Sequence, residues 1–422
     1  MLAKTKSLIA LADCNNFFVS CERLYRPDLW HKPVAVLSNN DGCIISRSAE
    51  VKAMGIGMAE PYFKLAPLLK KNGVVILSGN HQLYREISDK VMQVLSRYTD
   101  LMEVYSIDEA FLSFSIRSIE DPVEYSRNIR ASVARMIGIP LSIGISPTKT
   151  LSKLAGEVAK KKTAAGVFRI TEENAPDILD TTPIEDIWGI GWRNSGKLHR
   201  AGIHTAGDLA RKDSVWVKKQ LTVLGLMTQL ELQGQPCIPI TTAVKPPQTI
   251  QVSHSFGEPL RTIKEIEPAM VEHALRAASQ MREAKVAAKS IKAYLLRGFI
   301  SGEHRFLSVY RLLGDPICND PEIIQHALSL LRQIFDENHS QGDFYMKGCL
   351  VFADLSESVY RQTSLFDDRH RQRTKYDRVG MVTDLINDRL GKRVIYPATL
   401  VSKEKRWKPQ GKLRSRGELV IS

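Results

Sequence analysis

The chain has 422 residues, enough for two to four domains with cores of their own, and its 43% hydrophobic and 25% charged content is that of an ordinary soluble protein. Lys and Arg number 59 against 46 Asp and Glu, a formal charge of +13 that favours a polyanionic partner such as nucleic acid over an acidic small molecule. Six scattered cysteines, with no CxxC pair or Cys/His cluster, predict reduced thiols in a cytoplasmic protein without structural zinc. No uncharged apolar run approaches a membrane span and the first residues lack a signal peptide's cleavage region, so the expectation excludes secretion and membrane insertion.

In chain order, Leu8 to Ala12 reads as a buried strand that delivers Asp13 at its end. Val34 to Leu37 and Cys43 to Ser46 flank "NNDG", a tight-turn signal. A helix over Tyr84 to Tyr98 precedes two strands, Val104 to Ile107 and Ala110 to Phe114, which meet at Asp108 and Glu109. Leu141 to Ile145 is a further strand feeding a helix that opens near Thr148, and the whole order is an α+β, palm-like pattern.

From Thr171 to Pro239 the chain turns to short helical pieces punctuated by glycine, a separate small helical domain. After "VKPPQT", strand (Ile250 to Phe256), helix (Glu265 to Ala284), strand (Ser290 to Phe299), strand (Phe306 to Leu313), helix (Glu322 to Phe335) and strand (Met346 to Ala353) follow in the order of a split βαβ unit. The tail from Arg369 to Ser422 holds fifteen Lys/Arg against five Asp/Glu. It reads as a basic arm with one helix, Tyr376 to Leu390, carrying Val379, Val382 and Ile386 on a face.

The chemistry-bearing pattern is a trio of acids, Asp13, Asp108 and Glu109. Carboxylates gathered at strand ends repel one another unless a divalent cation intervenes, and an oxygen-only donor set favours Mg²⁺ over zinc. Neighbours in a strand point to opposite faces, so Asp108 and Glu109 share a target only where the chain turns or twists. In "SPTKTLSKLAGEVAKKK", Lys149, Lys153 and Lys160 fall within about 40° of one another on a 3.6-residue helix, placed for a triphosphate. The residues alone leave a second reading open: a turn aspartate, a solvated glutamate, an N-capping Asp13 and a lysine row facing water.

Four segments, "DCNNFFVSCE" (Asp13 to Glu22), "VLSNNDGCIISRSAEVKAMGI" (Val36 to Ile56), "YSIDEAF" (Tyr105 to Phe111) and "GISPTKTLSKLA" (Gly144 to Ala155), resemble in this order the Y-family translesion DNA polymerases of the UmuC branch. The likeness covers about residues 7 to 366. It implies a right-hand polymerase: palm at 1–20 and 78–170, fingers at 21–77, helical thumb at 171–240, split βαβ little finger at 245–356 and a basic tail at 357–422. It further implies a template-directed, error-prone polymerase acting on primer-template DNA and deoxynucleoside triphosphates, with an UmuD-type processed dimer, RecA and the sliding clamp as partners. A non-catalytic clamp- and DNA-binding scaffold or a metal-dependent nuclease are the alternatives.

Position by position, the resemblance makes Asp13, Asp108 and Glu109 the catalytic acids, holding two Mg²⁺ ions with the Cys14 carbonyl. Phe18 matches an aromatic that excludes a ribose 2'-hydroxyl, and Ser46, Lys52 and Lys160 match triphosphate contacts. Lys52 stands where many relatives carry Arg, Ala49 where many have a triphosphate-binding Tyr, and Ile45 where an archaeal relative has a small residue over the nascent pair. Gly189 and Gly191, in "IWGIGWRNSGKLHRAGI", match a helix-hairpin-helix that meets a DNA phosphate through backbone N–H groups. His254 stands where an Arg would contact phosphate, and Gln362, Leu365 and Phe366 in "RQTSLFDD" resemble a clamp-binding peptide.

Overall fold

The computed structural model of the chain describes residues 7–115, 119–242, 246–298, 304–340, 342–358, 370–390, 394–401, 406–408, 411 and 413. These fall into two compact units, one drawn from Met1–Leu37, Cys43–Val244 and Leu413–Ser422, the other from Ser38–Gly42 and Lys245–Lys412. Gln362, Leu365 and Phe366 lie outside the described residues.

The first unit runs β1 (Ser7–Cys14), α1 (Phe17–Tyr25), β2 (Val34–Leu37), β3 (Ile44–Arg47), α2 (Ala49–Ala53), α3 (Tyr62–Lys71), β4 (Val75–Ser78), α4 (His81–Leu95), β5 (Met102–Val104), β6 (Glu109–Ser115), α5 (Pro122–Ile137), β7 (Leu141–Ser146), α6 (Lys149–Lys162) and β8 (Val167–Arg169). The helices α7 (Ala175–Thr181), α8 (Trp192–Arg200), α9 (Ala206–Arg211) and α10 (Ser214–Leu232) follow. The main sheet has the order β5-β6-β1-β7-β8, and a smaller sheet the order β3-β2-β4. β1 is buried from its second residue to its last because both faces of the main sheet are covered. Leu8, Ala10 and Ala12 pack in one core with Ile87 and Val91 of α4 and Ile129 and Val133 of α5, while Ile9 and Leu11 join Phe111 in another on the opposite face.

Helix α6 covers that opposite face at backbone distance. A Cβ built on Gly144 of β7 would lie 2.1 Å from the Gly156 nitrogen and 2.3 Å from the Ser152 carbonyl oxygen of α6, so only glycine lets the helix settle there. Thr148 caps the helix, its Oγ1 accepting the Leu151 N–H at 3.3 Å. Buried Glu231, from the end of α10, accepts the N–H groups of Thr150, Cys237 and Ile238 at 2.8–3.0 Å and so ties the helical segment onto the start of α6.

The second unit contains β9 (Ile250–Leu260), α11 (Ile263–Glu283), β10 (Val286–Gly298), β11 (His304–Ile317), α12 (Asp320–Asn338), β12 (Phe344–Glu357) and α13 (His370–Arg389). Its sheet order, β11-β10-β12-β9, is antiparallel throughout and slots β12 between the two strands that α11 connects, the split βαβ arrangement expected from the sequence. α11 and α12 bury one face. Phe306, Tyr310 and Leu312 stay exposed, three alternate residues of one strand.

Two expectations for this unit are corrected. His254 faces the core, not a phosphate: its Nδ1 lies 2.7 Å from Nε2 of the fully buried His273, and the Trp407 ring sits 6.0 Å away. Strand alternation decides this, because Ile250, Val252, His254 and Phe256 share the buried side of β9. The helix in the basic tail forms, but Val379 and Val382 are each 55% exposed. What turns inward is Gly380 with Asp384, whose carboxylate takes Nε (2.7 Å) and Nη2 (3.0 Å) of half-buried Arg282, which also holds Asp320 at 2.7 Å. A half-buried bidentate ion pair outweighs a narrow apolar stripe in orienting this helix.

Burial pushes both histidines below their ordinary value of 6.5, with Arg276 adding to the effect at each, His254 adding at His273, and Glu272 opposing at His254. The unfolded chain therefore takes up protons that the folded pair refuses, and stability present above pH 6.5 is lost as pH falls. We expect the full chain to melt at lower temperature at pH 5.5 than at pH 7.5 by calorimetry, and His254→Gln with His273→Gln to flatten that fall. Gly144→Ala should cost about 3 kcal/mol by overpacking α6 against β7. Gly156→Ala should be tolerated, since its added Cβ meets only Leu11 Cδ2 at 3.8 Å; equal losses in the two variants would contradict this packing.

Candidate active site

The site follows from register. β1 and β6 pair antiparallel with Asp13 opposite Glu109 and Leu11 opposite Phe111, and β5 pairs with β6 so that Glu103 faces Phe111. Partners across a ladder point to the same face, so Asp13, Glu109 and Glu103 stand on three consecutive strands beneath α6. The strand over Val104 to Ile107 is corrected: β5 ends at Val104, residues Ser106 to Asp108 form a turn, and β6 begins at Glu109. This turn separates the adjacent acids. The Asp108 carbonyl accepts the Cys14 N–H at 2.9 Å, and its carboxylate accepts the Ser106 hydroxyl at 2.6 Å.

Each acid under α6 has its own lysine. Lys149 Nζ reaches Glu103 at 2.5 Å, Lys153 Nζ reaches both oxygens of Glu109 at 3.0 and 3.1 Å, and Lys160 Nζ reaches Asp13 Oδ2 at 2.6 Å. The lysine side chains are 2%, 18% and 28% exposed, so the row faces the sheet and the reading of it as a solvated face is overturned. Burial raises the Asp13 carboxyl to about 7; Lys160 opposes that rise and Glu109 adds to it. For Lys160, burial disfavours the ammonium, but Asp13 and then Glu157, at 3.2 Å, hold its pKa above the usual value.

The remaining expected residues have their own settings. Phe18, half-buried, stacks on Tyr84 with centroids 4.4 Å apart and planes 14° from parallel, and His81 meets its edge at 5.9 Å. Tyr84 is itself fixed, its hydroxyl donating to buried Glu22 at 2.7 Å. Ser46 Oγ is buried and accepts the Val19 N–H at 3.5 Å. Lys52 lies on the surface, its pKa lowered by desolvation and then by the like charges of Arg47 and Lys160. Cys14 ends β1 with its thiol buried and its pKa pushed well up by that burial, then by Asp13 and Asp108. Gly189 takes φ +89 and Gly191 precedes α8 with open space where a Cβ would project, so the backbone of this hairpin is accessible.

Residue patterns had not singled out Glu103, Tyr84, Tyr105 or Trp188. Lys153 Nζ lies 4.6 Å from the Tyr105 centroid and 5.7 Å from that of Trp188, and Trp188 Nε1–H donates to the Tyr105 hydroxyl at 3.1 Å. Trp188 precedes Gly189, and its motif signalled a turn without saying where the ring would go. A cleft of about 260 Å³ opens here, lined by Asp13, Glu109, Lys153, Lys160, Glu157 and Trp188 among others.

Among the described residues no three His, Cys, Asp or Glu side chains close on one point, so the arrangement is an acid pair, Asp13 with Glu109, and Asp108 set beside Cys14. The donor set nevertheless suits a hard divalent cation. It is all oxygen, its like-charge crowding raises Asp13, and the two ammonium groups of Lys153 and Lys160 already occupy it as monovalent stand-ins.

Comparisons place this arrangement among known proteins. The impB/mucB/samB family matches residues 12–157, and the C-terminal domain of that family matches residues 247–365. Protein UmuC of Salmonella typhimurium is 35% identical over 395 residues, 92% of each chain, and Protein ImpB of Salmonella typhimurium 34% identical over 86% of each. DNA polymerase IV of Bacillus velezensis is 25% identical over 93% of this chain and 92% of its own. Among solved structures, a Y-family DNA polymerase chimera of Dbh superposes with a TM-score of 0.68 at 20% identity, covering 82% of this chain and 98% of that one. An insertion ternary complex of Dbh DNA polymerase gives 0.54 with the same identity and coverage. With buried acids and a lysine row at the rim of a sheet of that fold, the chain is a Y-family-type polymerase fold and belongs to the impB/mucB/samB family.

Proposed function

We propose that this protein is an error-prone translesion DNA polymerase, adding deoxynucleotides to a primer 3'-end under template direction in SOS-type damage tolerance. The observation that carries the reading is the acid pair Asp13 and Glu109 with its lysines, opening on a cleft. On this reading residues 1–20 and 78–170 are the palm, 21–77 the fingers, 171–240 the thumb, 245–356 the little finger and 357–422 the tail. Relatives named UmuC and DNA polymerase IV, and a Dbh neighbour titled as a ternary complex, support DNA and nucleotide as substrates.

Asp13, the Cys14 carbonyl, Asp108 and Glu109 would hold two Mg²⁺ ions, which supply a lowered pKa for the primer hydroxyl and charge neutralisation for departing pyrophosphate. The chain's own groups do the rest. Lys160 is the mobile cation of the row, since among the described residues it pairs only with Asp13 and with Glu157, one turn earlier on the same helix. It can pass from a carboxylate to a phosphate without moving the backbone. Lys52 adds a second positive charge where triphosphate charge accumulates, as a point charge and not a bidentate fork. Phe18, backed by Tyr84 and fixed through Glu22, forms a shelf that cannot retreat to admit a 2'-hydroxyl.

The Gly189 and Gly191 backbone would bind a DNA phosphate without reading sequence, making DNA binding salt-sensitive. An UmuD-type dimer and RecA are proposed on the UmuC likeness, the sliding clamp on the peptide at Gln362, Leu365 and Phe366, and the cytoplasm as the place of action. Among the described residues no helix is long and apolar enough to cross a membrane. A nuclease would have no use for Phe18 or a lysine-bearing triphosphate site, and a scaffold none for the acids.

Two outcomes test this function. With Mg²⁺, primed template and deoxynucleotides the protein should extend the primer, and Asp108→Ala should lower extension by at least about a thousandfold while leaving DNA binding within about twofold. Strand cleavage without extension, or extension surviving in the variant, would overturn the reading. Phe18→Ala should raise ribonucleotide incorporation relative to deoxynucleotide by about tenfold or more, and unchanged sugar selectivity would remove Phe18 from this role.

A further inference from the structure

Of the three α6 lysines, Lys160 is held by carboxylates, Lys149 by Glu103 and one ring, Phe111 at 4.9 Å, and Lys153 by Glu109 and two rings. The Lys153 ammonium contacts both oxygens of Glu109, and on its other side two aromatic rings face it, Tyr105 at 4.6 Å and Trp188 at 5.7 Å. The rings are locked to each other, edge to face at 89° with the indole N–H on the phenol oxygen at 3.1 Å, and Phe111 supports Tyr105 at 5.5 Å. A cation over aromatic faces is attracted by the ring quadrupoles, so Lys153 resists displacement more than Lys160, which carboxylates hold.

Both rings hang from functional segments. Tyr105 lies in the acid-bearing turn, its N–H on the Glu109 carbonyl at 3.0 Å, and Trp188 immediately precedes Gly189 of the hairpin. Resting on the polymerase reading, we infer that Lys153 is a positioning residue that stays on Glu109 throughout nucleotidyl transfer, fixing the orientation in which the carboxylate is presented to a divalent ion. Trp188 thereby makes the aim of Glu109 depend on where the Gly189–Gly191 hairpin sits. A permanently placed positive charge also weakens divalent binding at rest, so metal affinity and turnover are opposed at this residue.

This opposition gives a test with a readout apart from activity. Binding of Mn²⁺ to the full chain, without DNA or nucleotide, is followed by loss of the free-ion paramagnetic resonance signal, and single-nucleotide primer extension is measured at saturating metal. In Lys153→Met the Mn²⁺ dissociation constant should fall about tenfold while extension also falls about tenfold or more. Lys153→Arg, which keeps a cation able to stack between the rings, should leave both within about threefold. Trp188→Ala should slow extension at saturating metal, and Trp188→Phe should restore most of it.

Wild-type Mn²⁺ affinity in Lys153→Met, or wild-type extension in it at saturating metal, would overturn the inference. So would a loss of both affinity and rate, the result of a merely structural role. A wild-type chain that binds Mn²⁺ yet extends no primer sinks the polymerase reading alone, and the Mn²⁺ shift in Lys153→Met still decides the Lys153–Glu109 contact.

Discussion

The structure around the site depends on one constraint: three buried or half-buried carboxylates on adjacent strands must each be neutralised, and one helix does it. Glu103, Glu109 and Asp13 descend across β5, β6 and β1, and Lys149, Lys153 and Lys160 follow the same diagonal along α6. A helix that crosses strands at an angle meets successive strand ends at intervals of one or two turns, as the lysine spacing of four and then seven residues requires. The pairs need α6 close to the sheet, and the close approach needs Gly144. Packing and charge are therefore not separable here; the glycine sets the height at which the lysines can reach the acids.

Much of this was legible in the residues, for identifiable reasons. β1 announced itself because a strand covered on both faces is apolar throughout, and α6 because a lysine row opposite Leu151, Leu154 and Ala155 is amphipathic. Amphipathicity could not say whether the charged side met water or acids, since both give the same period; only the register of three strands decides that. The side-by-side acids are a similar case. Strand alternation allowed Asp108 and Glu109 a shared target only where the chain turns or twists, and the turn that ends at Asp108 is set by its Ser106 contact and its carbonyl's bond to Cys14, neither visible as a pattern.

The misreadings in the second unit share a cause. His254 and the apolar stripe of α13 were both read from local sequence, whereas each is placed by a partner elsewhere in the chain. His273 lies 19 positions from His254, and Arg282 lies 102 positions from Asp384. A buried polar contact at such separation leaves no local signature, and it wins because leaving either group unpaired in the interior costs more than exposing a valine or two.

At the active site the same economy of charge sets what binding must accomplish. The acids are already compensated, Asp13 by an ammonium that Glu157 also holds, Glu109 by one set against two rings. On the proposed reading, a divalent ion entering alone would have to displace Lys160 towards Lys52, whose ammonium is already disfavoured by desolvation and then by the charges of Arg47 and Lys160. On the same reading a triphosphate would change that balance, offering Lys160 a new anion as a metal took the old one. Metal and nucleotide binding would then be linked through that side chain, each strengthening the other by the same factor.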